Sequence, residues 1–105
     1  MAENVFEIAT PLGFVVSCSR EYWAFIVAQK HPALSGREQE VAQVLAGPDE
    51  IRQSRKDPNV YLFYRGRSPR WLCAVARQEQ ETGFLITAYP TDALKAGVTV
   101  WTRSK

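Results

Sequence analysis

The chain has 105 residues, 46% hydrophobic and 23% charged, with a formal net charge of +2. That length supports one core, and the balance of apolar and charged residues argues against disorder. No apolar run reaches the roughly 18 residues of a membrane helix, the acidic start MAENVFEIAT is unlike the cationic start of a secretion signal, and one histidine with two distant cysteines supplies too few ligands for a zinc site.

A single domain is therefore expected, with a core over about residues 13–103, in the reducing cytoplasm, without a metal or other cofactor. The charge is unevenly placed. Between Ile51 and Gln78 seven cations (Arg52, Arg55, Lys56, Arg65, Arg67, Arg70 and Arg77) face one acid, Asp57, for a local charge of +6. The rest of the chain carries −4. Such a concentration can mark a surface for anions.

In chain order, Val5 to Ile8 reads as an early strand or a tail along the sheet, and Gly13 to Ser17 as a short β-branched strand. Ser19 can cap a helix over about Arg20 to Lys30, with Trp23, Ile26 and Val27 at helical spacing. Pro32 ends or kinks it at His31. Ser35-Gly-Arg-Glu38 has the pattern of a capping box and predicts a second helix over about Gly36 to Ala46, stopped by Gly47-Pro48. Ile51–Ser54 is a short strand or a turn. The period then falls to two, and Val60–Arg65, Trp71–Arg77, Phe84–Tyr89 and Val98–Thr102 are strand candidates. Thr91 can cap a helical turn in the last loop. Helices followed by strands predict an α+β fold, with helices on one face of a four- to five-stranded, mostly antiparallel sheet.

If Arg77 stands opposite Gly83, one sheet face carries Trp71, Cys73, Val75, Arg77, Leu85, Thr87 and Tyr89. The other carries Leu72, Ala74, Ala76, Phe84, Ile86 and Ala88, and its small side chains suit close helix packing. The first face is expected to be open to solvent, as antiparallel sheets allow. Either Tyr64 or Arg65 shares it, depending on the register of their strand.

Several groups on this plan can carry chemistry. His31 is the only imidazole and sits at a helix end, where an ordinary role is interaction with the last carbonyls. Arg52 and Arg55 can clamp phosphate, or be a solvated charge run. Ser54 between them can donate to phosphate. Thr87 and Tyr89 can finish an anion pocket, although both residue types are at home in strands. Tyr64 and Trp71 are stacking platforms for unpaired bases, or core aromatics. Arg65, Arg67 and Arg70 extend the basic surface. This metal-free set suits RNA cleavage, because the 2′-hydroxyl supplies the nucleophile and the protein supplies acid, base and cations.

The succession KHP, helix, PDEIRQS, YLFYR, WLCAVA, FLITAYPTDALKAG and closing VTVW resembles the phage-associated barnase–EndoU–colicin–RelE-like (BECR) nuclease domains. The resemblance runs from about Tyr22 to Trp101. It rests on the order of short motifs: His-Pro at a helix end, PD-I-xx-S, the TAY strand with Lys-x-Gly, and a terminal aromatic strand. It implies a RelE-like α+β fold and metal-independent cleavage of RNA through a 2′,3′-cyclic phosphate. By position it implies roles for His31, for Arg52 or Arg55 with Ser54, and for Thr87 with Tyr89. One histidine excludes a two-histidine pair, so the acid would be Tyr89, Tyr64 or a protonated partner. A toxin or phage effector of this kind would have RNA as substrate and an antitoxin or immunity protein as partner. The alternatives are a non-catalytic RNA-binding or protein-interaction module on the same basic face, and a regulatory subunit docking through a sheet edge.

Overall fold

The computed structural model describes residues 3–94 and 97–103. It is an α+β fold built on one seven-stranded mixed sheet. The strands are β1 (Asn4–Ala9), β2 (Val15–Ser19), β3 (Glu50–Gln53), β4 (Val60–Arg67), β5 (Arg70–Glu79), β6 (Thr82–Thr91) and β7 (Val98–Thr102). Their spatial order is β1-β2-β6-β5-β4-β3-β7, and only the β2–β6 pair is parallel. The sheet is larger than the four or five strands expected, because β1 pairs along β2 and the short β3 bridges β4 and β7. The helices do not precede the sheet; they lie between β2 and β3. Among the described residues no helix is long and apolar enough to cross a membrane.

Ser19 caps α1 (Arg20–Phe25) as its sequence suggests: its hydroxyl accepts from the Tyr22 N–H at 3.0 Å. The helix then widens into a π-helical turn, Ile26–Lys30, which stops at His31. Pro32 opens a 3₁₀ turn, Pro32–Leu34. The capping box at Ser35 does not form. Gly36 adopts φ +79°, so the chain turns away and the second helix, α2 (Glu38–Ala46), starts with Arg37 at its N-cap without a side-chain capping bond. Arg37 instead pairs with Glu40 at 2.6 Å. After β6, the Thr91 hydroxyl accepts from the Ala93 N–H, but the chain through Ala93 is a bend rather than the expected helical turn. Lys95 of the Lys-x-Gly motif lies outside the described residues.

The core lies between the helical segment and one sheet face. Helix α2 buries Val41, Ala42, Val44 and Leu45, and α1 with the turns buries Trp23, Ile26 and Leu34. The sheet contributes Phe63, Ala74, Ala76, Leu85 and Ala88 to the same cluster. The three alanines stand where close helix packing was expected. Phe84 and Leu85, however, have exchanged faces. The β5–β6 turn is tight, with Glu79 opposite Thr82 and Gln80 at φ +63°, so Arg77 pairs with Phe84 rather than Gly83. Leu85 then faces Ala76 in the core. A bulge at Ile86 restores the phase, and Thr87 stands opposite Val75. Tyr22 anchors this bulge by donating its hydroxyl to the Ile86 carbonyl at 2.6 Å.

Candidate functional site

The bulge decides what the face away from α2 carries. Beyond it, Cys73 pairs with Tyr89 and Trp71 with Thr91, so Thr87, Tyr89 and Thr91 share one side of β6. Across β5, Tyr64 pairs with Cys73, and across β4, Glu50 pairs with Tyr64. One cross-strand row therefore reads Glu50–Tyr64–Cys73–Tyr89. The next reads Arg52–Leu62–Val75–Thr87. The question left between Tyr64 and Arg65 resolves to Tyr64.

His31 reaches this face from the end of the π-helical turn. Its ring centroid lies 5.8 Å from that of Tyr89, at 39° between planes. The Tyr22–Ile86 bond fixes α1 on β6 and so places the turn that ends at His31. Burial, then the neighbouring Cys73 and Tyr64, push the Tyr89 hydroxyl above the ordinary phenol value. A phenol is neutral at pH 7 in any case; the shift makes Tyr89 hold its proton more tightly than an ordinary tyrosine does. One position along, the Thr87 hydroxyl is buried and makes no hydrogen bond among the described residues. Buried polar groups are rarely left so, and the exceptions concentrate where a ligand or function supplies the missing partner.

At the far end of the rows, Arg52 Nε donates to Glu50 at 2.5 Å and the Thr99 hydroxyl donates to the same carboxylate at 2.8 Å. The two charged side chains keep only about a fifth of their surface exposed (22% and 18%). Arg52 and Thr87 are separated by three strand spacings, about 14 Å at the usual interval. Glu50 was not among the residues singled out from the sequence. Its signal was its place two before Arg52, since alternate residues of a strand share a face, but it was masked while the segment could equally be a turn.

Other expected site residues fall elsewhere. Tyr64 and Cys73 have no exposure at all, so the middle of the face is closed rather than open. A ring buried in this way cannot stack on a base, but its hydroxyl interacts with that of Tyr89. Arg55 is on the exposed turn after β3, and its guanidinium lies 3.5 Å from the Gly97 carbonyl, away from His31. The Ser54 hydroxyl accepts from the Lys56 and Asp57 N–H groups and shapes that turn. Arg65 points to the helix side and donates to the Gly47 carbonyl at 3.0 Å, capping the end of α2. Arg67 and Arg70 are at the exposed tip of the β4–β5 hairpin, where they pair with each other across the strands. Trp71 lies beside that tip, half-buried, next to Thr91. The +6 stretch is thus divided between two sheet faces and a hairpin tip. Arg77 is neutralised by Asp57, and Arg52 by Glu50.

The arrangement brings His31, Thr87 and Tyr89 together and places the Arg52–Glu50 pair on the same face. It offers an imidazole, a phenol kept protonated, an unpartnered hydroxyl and a carboxylate–guanidinium pair. These can move protons and hold an anion. Comparison of the chain with family models, characterised proteins and solved structures finds no match.

Proposed function

We propose that the chain is a small endoribonuclease of toxin or phage-effector type with a RelE-like fold, working without a metal. The observation that carries this reading is the His31–Tyr89 contact, with the unpartnered Thr87 hydroxyl beside it on the same face.

In this reading the 2′-hydroxyl of RNA loses its proton to the His31 imidazole, and the 2′-oxygen attacks the adjacent phosphorus. The bond to the 5′-oxygen breaks. Tyr89, protonated at neutral pH as any phenol is, donates to that departing oxygen, and the Thr87 hydroxyl, closed off from solvent in the free protein, meets a phosphate oxygen only once the substrate has parted the side chains over it. The products are a 2′,3′-cyclic phosphate and a 5′-hydroxyl end. Arg52 lies too far along the row to clamp the same phosphate and serves a neighbouring one, with Glu50 fixing its guanidinium.

The test is incubation of end-labelled RNA with the purified protein and identification of the ends. Cyclic phosphate ends, lost with His31→Ala while the fold persists, support the reading. RNA that stays intact, or cleavage that His31→Ala leaves unchanged, overturns it.

A non-catalytic RNA-binding module is favoured by a different observation: the exposed cations Arg67 and Arg70 stand at the hairpin tip, outside the row of candidate catalytic groups. Such a module retards RNA in a salt-dependent way and leaves it intact. An antitoxin or immunity protein remains the partner proposed under the toxin reading.

A further inference from the structure

We propose that the cavity between α2 and the β4–β5 hairpin is a nucleotide subsite for single-stranded RNA, holding a nucleotide of the same strand beyond the end of the sheet from His31 and Tyr89. This rests on the ribonuclease reading for its substrate but concerns different residues.

The cavity has a volume of about 570 Å³, within the range of small-ligand sites. Trp71 and Leu72 give it aromatic and apolar surface, and Arg37, Arg65 and Arg70 give it charge. Glu40, the acid among its lining residues, is paired with Arg37. Arg65 donates to the Gln43 and Gly47 carbonyls at the end of α2 and makes no ion pair among the described residues. The side chain of Arg70 makes no ion pair or hydrogen bond among the described residues. The lining therefore carries excess positive charge beside an indole. An anion that also bears a flat ring satisfies both, which is the chemistry of a nucleotide: the phosphate on a guanidinium and the base on the indole.

Continuity with the candidate site supports the assignment. Thr91 lines the cavity and pairs with Trp71. Tyr89 lies two residues back on the same side of β6, about 7 Å along an extended strand. The cavity opens on the α2 side and Tyr89 lies on the opposite face, so an RNA strand joins the two only by passing over the end of the sheet at Trp71 and Thr91.

The experiment uses a fluorescein-labelled RNA hexamer built of 2′-O-methyl nucleotides, which lacks the nucleophile and cannot be cleaved. Its affinity is read by fluorescence anisotropy. Arg70→Glu and Trp71→Ala are expected to weaken binding by about tenfold or more, with Arg70→Lys between them and the parent protein. Lys56→Glu makes the same charge change on an exposed turn outside the cavity and is expected to cost no more than about twofold. Equal losses for Arg70→Glu and Lys56→Glu overturn the subsite, as does unchanged affinity in Arg70→Glu. If Trp71→Ala does not fold, Trp71→Phe and the exposed Arg70→Glu decide. Failure of the ribonuclease reading is separable. Natural RNA left intact, with the tenfold loss still seen, refutes cleavage and keeps the cavity. Cleavage with undiminished hexamer affinity in Arg70→Glu refutes the cavity alone.

Discussion

His31, at the end of a π-helical turn, and Tyr89, near the end of β6, stand with their rings 5.8 Å apart although most of the sheet separates them in the chain. The contact depends on the bulge at Ile86, which turns Tyr89 to this face, and on Tyr22, which holds the helix to that bulge. Tyr89→Phe keeps the ring and removes only the hydroxyl. It is expected to lower RNA cleavage by about 10²-fold, the usual cost of losing one positioned donor or acid. The thermal midpoint should move little. Cleavage within twofold of the parent protein would remove Tyr89 from the chemistry.

The same hydroxyl has a pH signature. Its folded value lies above the ordinary 10.0 because of burial first, and of Cys73 and Tyr64 after that. Below 10.0 both folded and unfolded chains keep the proton, and stability does not depend on it. As pH rises past the unfolded value the unfolded chain releases the proton while the folded one retains it, so stability falls. Urea unfolding between pH 9 and about 11, around the ordinary tyrosine value, should show a steeper loss in the parent protein than in Tyr89→Phe. Parallel curves would mean that Tyr89 titrates normally.

The largely buried Glu50–Arg52 pair is expected to matter to stability as well as to binding. Removing one partner leaves the other charge partly desolvated, so Arg52→Ala should cost about 1–3 kcal/mol. A double-mutant cycle with Glu50→Gln should return a coupling of about 1–2 kcal/mol. A coupling near zero, measured by denaturant unfolding, would identify the pair as a solvent-screened surface contact.

The sequence made the α+β class readable because its signals were local: Ser19 as a cap, Pro32 as a stop, and alternation in the strands. Ala74, Ala76 and Ala88 marked the helix-facing side for the same reason. The exchange of Phe84 with Leu85 was not readable. A bulge is one extra residue accommodated by the pairing of two strands, and nothing in FLITAYP marks it. Thr87 and Tyr89 landed on the expected face because the tight turn and the bulge compensate each other. The exposure of that face was misjudged, since alternation assigns a residue to a side but does not say what lies over it. Tyr64 and Cys73 were therefore expected at an open surface and are fully buried. Arg65 was missed as a helix cap because its partners, the Gln43 and Gly47 carbonyls, are backbone groups from another element.

Thr87 offers the sharpest separation between stability and function. Its hydroxyl is buried with no hydrogen bond among the described residues. A group in that condition costs roughly 1–3 kcal/mol relative to a satisfied one. Thr87→Val removes the hydroxyl and keeps the branched shape that suits a strand. The variant is expected to be as stable as the parent or more so, by up to about 1 kcal/mol. If the hydroxyl is kept there to meet a phosphate oxygen, cleavage should fall by about tenfold or more in that same variant, a trade of activity for stability. Chemical denaturation and the end-labelled RNA assay, run on one preparation, test both halves. A stable Thr87→Val protein with full cleavage would make the hydroxyl a packing defect rather than a substrate contact. A destabilised variant would mean that the hydroxyl is satisfied within the fold.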